Sequence, residues 1–152
     1  MGIEKSYNFR RISDKLTTSG VVGAERLPGL SEAGYEAVIN LLPDSSEYAV
    51  AGEAGMVTDQ GINYVYIPVD FAAPAHEDFE TFCKAMDALD DKTVRIHCAA
   101  NFRVSAFYSL YAMRRGWWNA EQADQHIRDL WDPGTEAAWS QFISRERARL
   151  QD

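Results

Sequence analysis

Residues 94 to 105 bring a histidine, a cysteine and an arginine into one short segment. The segment reads VRIHCAANFRVS, so His97 and Cys98 end an apolar run, and four residues separate Cys98 from Arg103. A helix is predicted to begin beside the arginine, and the free N–H groups of a helix N-terminus attract anions. A cysteine placed there has its thiolate stabilised, and an arginine offers a planar fork for a tetrahedral oxyanion. The segment therefore indicates nucleophilic chemistry on an anionic substrate, with His97 orienting the cysteine or adding to the local field.

A second interpretation of this segment involves no chemistry. A lone cysteine at the end of a strand is more often a small buried residue than a nucleophile. The order of strand, histidine, cysteine, small-residue loop, arginine and helix favours the functional interpretation. The other cysteine, Cys83, falls on the apolar stripe of a predicted helix and is interpreted as a core residue.

Alternating strands and helices are predicted to position the segment. Short apolar runs bounded by breakers predict buried strands at residues 37–42, 64–69 and 93–97, and less strongly at 16–19. Helical patterns cover residues 47–59, the segment after Pro74, residues 104–115, and the segments after Asn119 and Pro133. Trp131-Asp132-Pro133 is interpreted as the end of a helix. We expect an α/β fold with a central, mostly parallel sheet of four to five strands, flanked by helices on both faces.

The segment resembles the phosphate-binding loop of the cysteine-dependent phosphatases, the protein tyrosine and dual-specificity superfamily. His97-Cys98 through Arg103 and Ser105 carry this resemblance. Three further stretches resemble the small bacterial branch related to beta-lactamase hydrolase-like proteins: residues 16–20 (LTTSG), 34–42 (GYEAVINLL) and 66–70 (YIPVD). Their order along the chain is more specific than any single motif. The resemblance implies a phosphotyrosine phosphatase-like fold.

The resemblance also implies a role for each residue of the site. Cys98 would attack phosphorus and form a phosphocysteine intermediate, Arg103 would bind the phosphate oxygens, and Asp70 would protonate the leaving oxygen. His76 and Asp78 are alternative acids in the same loop. The phosphate would also be bound by the backbone amides of the loop: Ala99, Ala100, Asn101, Phe102 and Arg103. His97 and Ser105 would support the site, the serine by donating a hydrogen bond to the cysteine. This chemistry requires no metal or cofactor.

The loop is one residue shorter than the family pattern. The family places five residues between cysteine and arginine, whereas this loop is C-x4-R, and Val104 stands where the family arginine would be. Ser105 keeps the family spacing from Cys98. Two other functions therefore stay open beside phosphatase activity. One is a rhodanese-like sulfurtransferase, whose smaller loop carries a persulfide on cysteine; the other is an anion-binding module that kept the fold but lost turnover.

Composition limits the partners and the compartment. Fifteen Lys and Arg against 23 Asp and Glu give a net charge of −8, which argues against nucleic acid binding through bulk charge. Phosphate attraction must then come from the loop itself. Two cysteines are too few for a disulfide framework, and we see neither a secretory signal nor a membrane segment, so we expect a cytoplasmic protein. The 152 residues fit one phosphatase-like domain, 1–152, acting on a phosphorylated small molecule or a phosphoprotein.

Overall fold

The computed structural model describes residues 2 to 150, in which five strands form one sheet. The strands are β1 (Arg10–Ser13), β2 (Leu16–Ser19), β3 (Ala37–Asn40), β4 (Asn63–Tyr66) and β5 (Val94–His97). Their order across the sheet is β1-β2-β5-β3-β4, with β1 antiparallel to β2 and all other pairs parallel. The predicted α/β fold with a mostly parallel sheet is confirmed.

β1 was not predicted from the sequence, for a physical reason. This strand lies at the edge of the sheet, alternates half-buried with exposed residues, and begins with Arg10 and Arg11. Edge strands commonly carry charged residues, which weakens the apolar signal on which strand prediction depends.

Five helices and three short 3-10 turns accompany the sheet. The helices are α1 (Glu53–Thr58), α2 (His76–Ala88), α3 (Phe102–Arg114), α4 (Ala120–Arg128) and α5 (Ala137–Leu150). The 3-10 turns span Ile3–Lys5, Ala24–Gly29 and Pro133–Thr135. None of the helices within residues 2–150 is long and apolar enough to cross a membrane.

Local sequence signals explain where these helices begin. The helix predicted from residue 47 starts only at Glu53, because Gly52 adopts a left-handed conformation with φ +78° and interrupts the helical geometry. The helix predicted after Asn119 is α4, and it begins with a capping box in which Asn119 and Gln122 exchange side-chain to backbone hydrogen bonds of 2.8 Å.

Two apolar clusters bury the two faces of the sheet. On one face, aromatic side chains of α2, α3 and α5 interlock, as where Phe107 meets Phe79 edge-on at 5.5 Å and Phe142 stacked at 5.6 Å. On the other face, Val38 packs with Val57 of α1 and with Leu27 of the second 3-10 turn. The predicted covering of both faces is therefore confirmed, and β5 lies buried at the centre of the sheet.

Candidate active site at the end of the central strand

Cys98 is the first residue after β5, the central strand. Its amide donates to the carbonyl of Ser19 at the end of β2, and the carbonyl of His97 accepts from Leu41 just beyond β3. These bonds join the cysteine to both neighbouring strands. The Cys98 side chain is fully buried, whereas Ala99 and Ala100, the next two residues, line an open cavity. A substrate anion must therefore approach the sulfur through the loop that these residues begin.

The short loop closes through one left-handed residue. Asn101 has φ 69° and ψ 9°, and α3 begins immediately after it at Phe102, so that Arg103 occupies the first turn of the helix. Asparagine adopts this conformation more readily than most residues with a side chain. The Asn101 side chain also donates to the carbonyl of Asn8 at 2.9 Å and to the hydroxyl of Thr18 at 3.1 Å. The N-terminal segment and β2 thus hold the loop in place.

The loop turns its carbonyl oxygens toward this scaffold. The Ala99 carbonyl accepts from the amide of Val21, and the Ala100 carbonyl accepts from the side chain of Asn8, each at 2.9 Å. By contrast, the amides of Ala99, Ala100, Phe102 and Arg103 donate to no group within residues 2–150. All four residues line the cavity. Unpaired amides beside a helix N-terminus are the donors that an oxyanion requires.

Gly20 packs directly against the backbone of the loop. A Cβ atom at this position would lie 2.3 Å from the Ala99 carbonyl oxygen and 2.8 Å from the Ala100 Cα. We expect Gly20→Ala to lower the free energy of unfolding by on the order of 2–3 kcal/mol, because the loop backbone must shift. Anion binding should weaken as well. Urea unfolding and phosphate or vanadate titration measure the two effects.

The matched control for this substitution is Gly29→Ala. A Cβ on Gly29 meets no heavy atom within 4 Å, so this variant should differ from wild type by less than about 1 kcal/mol. If both alanine variants were equally stable and bound anions equally, Gly20 would not act as a spacer for the loop.

Arg103 lies on the cavity wall, and its terminal nitrogens have no hydrogen-bond partner within residues 2–150. Its Nε donates to the carbonyl of Val69 at 2.8 Å, and its guanidinium carbon lies 5.2 Å from the centre of the Phe71 ring. No carboxylate of residues 2–150 comes within 4 Å of its nitrogens, so Arg103 forms no ion pair with these residues. The side chain is thus oriented by a backbone acceptor and an aromatic face, while its charge remains available for an anion.

The cavity beside Arg103 has a volume of about 420 Å³. Phe71, Phe102 and Trp131 form an aromatic wall, in which Phe102 and Trp131 stack at 4.8 Å with only 6° between their planes. Asp132 and Glu136, both exposed, form an acidic rim. The site therefore combines one cation with an apolar surface that suits a flat or hydrophobic group attached to the phosphate.

Two tryptophans fix this wall. Trp131 Nε1 donates to Ser105 Oγ at 3.0 Å, and Trp139 Nε1 donates to the carbonyl of Phe71 at 2.7 Å. Ser105 Oγ in turn donates to the Phe102 carbonyl at 2.9 Å. The structure does not show the predicted hydrogen bond from Ser105 to Cys98, because the hydroxyl proton of Ser105 is donated to the Phe102 carbonyl.

The segment from Trp131 to Glu136 is the part of the site that sequence reasoning missed. We predicted that Trp131-Asp132-Pro133 ends a helix. Helix α4 already ends at Arg128, so this segment is a loop that follows the helix. The available signal was its composition, because Trp131-Asp132-Pro133 has the residue types of a loop that carries a general acid. Its approach to the cysteine loop depends on the packing of α4 and α5 against α3, which no local pattern reveals.

Asp70 stands next to the cavity wall. It follows Val69, which binds Arg103, and precedes Phe71, but it is exposed and is not itself among the residues that line the cavity. Its Oδ1 accepts from the amide of Ala72 at 2.9 Å, forming a local turn.

The two alternative acids lie elsewhere. His76 Nδ1 is 2.9 Å from both carboxylate oxygens of Glu146 on α5, and Asp78 is half-buried on α2, where burial and the neighbouring Glu77 raise the pKa of its carboxyl group. Neither side chain lines the cavity. Cys83 is buried on α2, as predicted, and burial raises the pKa of its thiol to about 12.

His97 belongs to a buried charge cluster beneath the loop. Its Nε2 lies 2.5 Å from Glu53 Oε2, and its Nδ1 lies 3.3 Å from the Cys98 carbonyl oxygen. Burial and the positive charge of Arg95 lower the pKa of His97. Burial alone would raise the pKa of Glu53, but the hydrogen bond with His97 and the charge of Arg95 outweigh it and lower that pKa. A neutral His97 thus donates Nε2–H to an ionised Glu53.

Arg95 supplies the compensating positive charge of this cluster. It is only 1% exposed, and its Nη2 donates to the carbonyl of Gly20 at 3.4 Å, a long bond. Its Nε and Nη1 have no partner within residues 2–150. Burial lowers the pKa of Arg95 to about 10, so the guanidinium is still charged at neutral pH. The Glu53 carboxylate therefore binds His97 directly, while the buried Arg95 cation acts on both groups through its charge.

This cluster predicts acid sensitivity. Because the pKa of His97 is lower in the folded chain than in the unfolded chain, the unfolded state takes up the proton first as the pH falls. We expect the free energy of unfolding to decrease below about pH 6.5, by on the order of 1 kcal/mol per unit by which the pKa is lowered. Glu53 contributes with the same sign at lower pH. Urea unfolding at several pH values measures the decrease.

The control for acid sensitivity is His97→Asn, which keeps a donor for Glu53 but does not titrate. The stability of this variant should depend less on pH. A remaining pH dependence comes from His126, because burial lowers the pKa of that side chain as well. A wild-type stability that stays constant or rises as the pH falls from about 7 to about 5 would contradict this account of the cluster.

Comparison with known proteins agrees with this geometry. A candidate phosphatase of the DUF442 family from Shewanella putrefaciens is 35% identical in sequence, with a TM-score of 0.86 over 97% of this chain and 93% of that chain. The phosphatase Tk-PTP in its active form shares the fold at 18% identity, with a TM-score of 0.74 over 93% of this chain and 97% of that chain. The chain therefore belongs to the DUF442 family of candidate phosphatases, and it has the fold of the cysteine-based protein tyrosine and dual-specificity phosphatases.

A bacterial protein is also similar in sequence to this chain. The beta-lactamase hydrolase-like protein of Agrobacterium fabrum is 30% identical over 103 residues, which are 66% of this chain and 24% of that protein. The match thus spans about a quarter of the relative's length. No family model matches the chain. The resemblance that the sequence indicated, including its bacterial branch, is confirmed.

Proposed function

We propose that the protein hydrolyses phosphomonoesters through a phosphocysteine intermediate on Cys98. One observation carries the proposal: Arg103 and the loop that begins at Cys98 line the same cavity. Within residues 2–150 the terminal nitrogens of Arg103 and the amides of four of these residues have no hydrogen-bond partner. The similarity to candidate phosphatases of the DUF442 family and the phosphatase-like fold support the proposal. The substrate is a phosphorylated small molecule or a phosphoprotein.

The first chemical step transfers the phosphoryl group to sulfur. The Cys98 thiolate attacks phosphorus, a P–S bond forms, and the P–O bond to the leaving group breaks. Arg103 and the amides of residues 99–103 bind the three non-bridging oxygens and follow them into the transition state. A carboxylic acid gives its proton to the departing oxygen, and Asp70 is the candidate from the sequence.

The second step restores the enzyme. A water molecule loses a proton to the carboxylate that acted as acid and attacks phosphorus, and the P–S bond breaks to release phosphate and the Cys98 thiolate. The position of Asp70 supports this role, because both of its neighbours contact Arg103 and one of them, Phe71, lines the cavity. Its hydrogen bond from Ala72 engages Oδ1 and leaves Oδ2 for proton transfer.

Turnover of p-nitrophenyl phosphate by the purified protein tests the proposal. We expect activity that the Cys98→Ser variant lacks. Binding of vanadate without turnover of any phosphoester would instead support an anion-binding module. Transfer of sulfur from thiosulfate to cyanide, without phosphatase activity, would support the rhodanese-like function that the C-x4-R loop left open.

A further inference from the structure

Two carboxylates that the proposed mechanism leaves unused lie on the same cavity as Arg103. Asp132 and Glu136 both line it, whereas Asp70 does not. The two carboxylates differ in their hydrogen bonding. Asp132 Oδ1 accepts from the amide of Gly134 at 2.9 Å and caps the third 3-10 turn, while the Glu136 carboxylate makes no hydrogen bond or ion pair with any residue from 2 to 150.

The backbone of Glu136 is firmly anchored. Its amide donates to the carbonyl of Pro133, and its own carbonyl accepts from the amides of Trp139 and Ser140, all at 3.0 Å. Glu136 is the residue immediately before α5. A free carboxylate thus stands on a rigid support at the cavity wall, which is the arrangement that proton transfer requires.

The two tryptophan hydrogen bonds tie this support to the rest of the site. Trp131 is bonded to Ser105 on α3, the helix whose first turn carries Arg103. Trp139 is bonded to the Phe71 carbonyl, in the loop of Asp70. Glu136 lies between these two tryptophans in the chain, so its position is determined relative to both the phosphate-binding loop and the loop of Asp70.

We infer that Glu136, on the cavity wall, performs the proton transfers for which Asp70 is the candidate from the sequence. In the first step the protonated carboxyl group gives its proton to the leaving-group oxygen as the P–O bond breaks and the electron pair stays on that oxygen. In the second step the carboxylate takes a proton from the water that attacks phosphorus as the P–S bond breaks. The inference rests on the proposed function and identifies a further catalytic residue for it.

The test compares leaving groups that differ in their need for a proton. p-Nitrophenol departs readily as its anion, whereas phenol, like tyrosine with a pKa of about 10, benefits from protonation. We expect Glu136→Gln to lower kcat/KM about 100-fold for phenyl phosphate but less than about threefold for p-nitrophenyl phosphate. The matched control is Glu121→Gln, at an exposed residue in the first turn of α4, which should leave both values unchanged.

Parallel measurement of Asp70→Asn separates the two carboxylates. Equal loss on both substrates in Glu136→Gln, or no loss on either, would overturn the inference while leaving the proposed function intact. The inference would also be overturned if Asp70→Asn alone showed the selective loss. Absence of turnover of both substrates by the wild-type chain would instead overturn the proposed function, and this inference with it.

Discussion

Replacing Cys98 with serine should abolish aryl phosphate hydrolysis while leaving the fold and the anion site in place. The hydroxyl of serine is a far weaker nucleophile than a thiolate, so we expect kcat for p-nitrophenyl phosphate to fall by on the order of 10⁴-fold or more. The side chain is fully buried, and the substitution exchanges one atom for a slightly smaller one. Steady-state kinetics measure the loss.

Two controls make this result specific. The Cys98→Ser variant should still bind phosphate or vanadate, because the amides and Arg103 are unchanged, and it should keep its near-ultraviolet circular dichroism. Cys83→Ser serves as the matched variant at the other cysteine, which lies on α2 in the core and does not line the cavity. Full activity in Cys98→Ser would remove the nucleophile from the mechanism.

Replacing Arg103 with lysine should lower kcat/KM for aryl phosphates by on the order of 10²–10³-fold. Lysine keeps the positive charge but lacks the planar fork that grips two phosphate oxygens at once. It also lacks the Nε that donates to Val69 and the flat face that lies over Phe71. Kinetics and vanadate titration should both report the change, since the guanidinium binds the ground state and the transition state.

The control for this prediction is Arg145→Lys, at an exposed residue of α5 outside the cavity, which should keep wild-type kinetics. Unchanged activity in Arg103→Lys would show that simple charge suffices. In that case the arginine of the C-x4-R loop would not bind two phosphate oxygens through its planar guanidinium group.

Much of this architecture could be predicted because its signals are local. The apolar runs of β3 and β5 and the breakers around them identified the centre of the sheet, and the Asn119 capping box identified the start of α4. The approach of His97, Cys98 and Arg103 to one helix N-terminus also follows from their order in the sequence, since a strand, a tight loop and a helix leave little freedom.

What could not be predicted depends on contacts between distant segments. Glu53 binds His97 across 44 residues of chain, and Trp139 binds the Phe71 carbonyl across 68. Arg95 would be expected at a surface, yet it is buried with Glu53 as its countercharge. These contacts arise only once helices have packed on the sheet, so residue types and spacing carry no sign of them.

The shortened loop illustrates both cases. The sequence shows one residue fewer than the family pattern, which left the position of the arginine open. In the structure a single left-handed residue, Asn101, ends the loop, and Arg103 occupies the first turn of α3 beside the cavity. The scaffold that holds this arrangement, Asn8 and Gly20, comes from the beginning of the chain.

Direct trapping of the intermediate tests the central claim most sharply. Wild-type protein is mixed with p-nitrophenyl phosphate, denatured during turnover, digested, and analysed by mass spectrometry for a phosphoryl group on the peptide that contains Cys98. The account predicts a phosphoryl group on the Cys98 sulfur, absent from Cys98→Ser. Rapid turnover with a phosphoryl group on another residue, or with inversion of configuration at phosphorus, which indicates direct attack of water on the substrate, would contradict it.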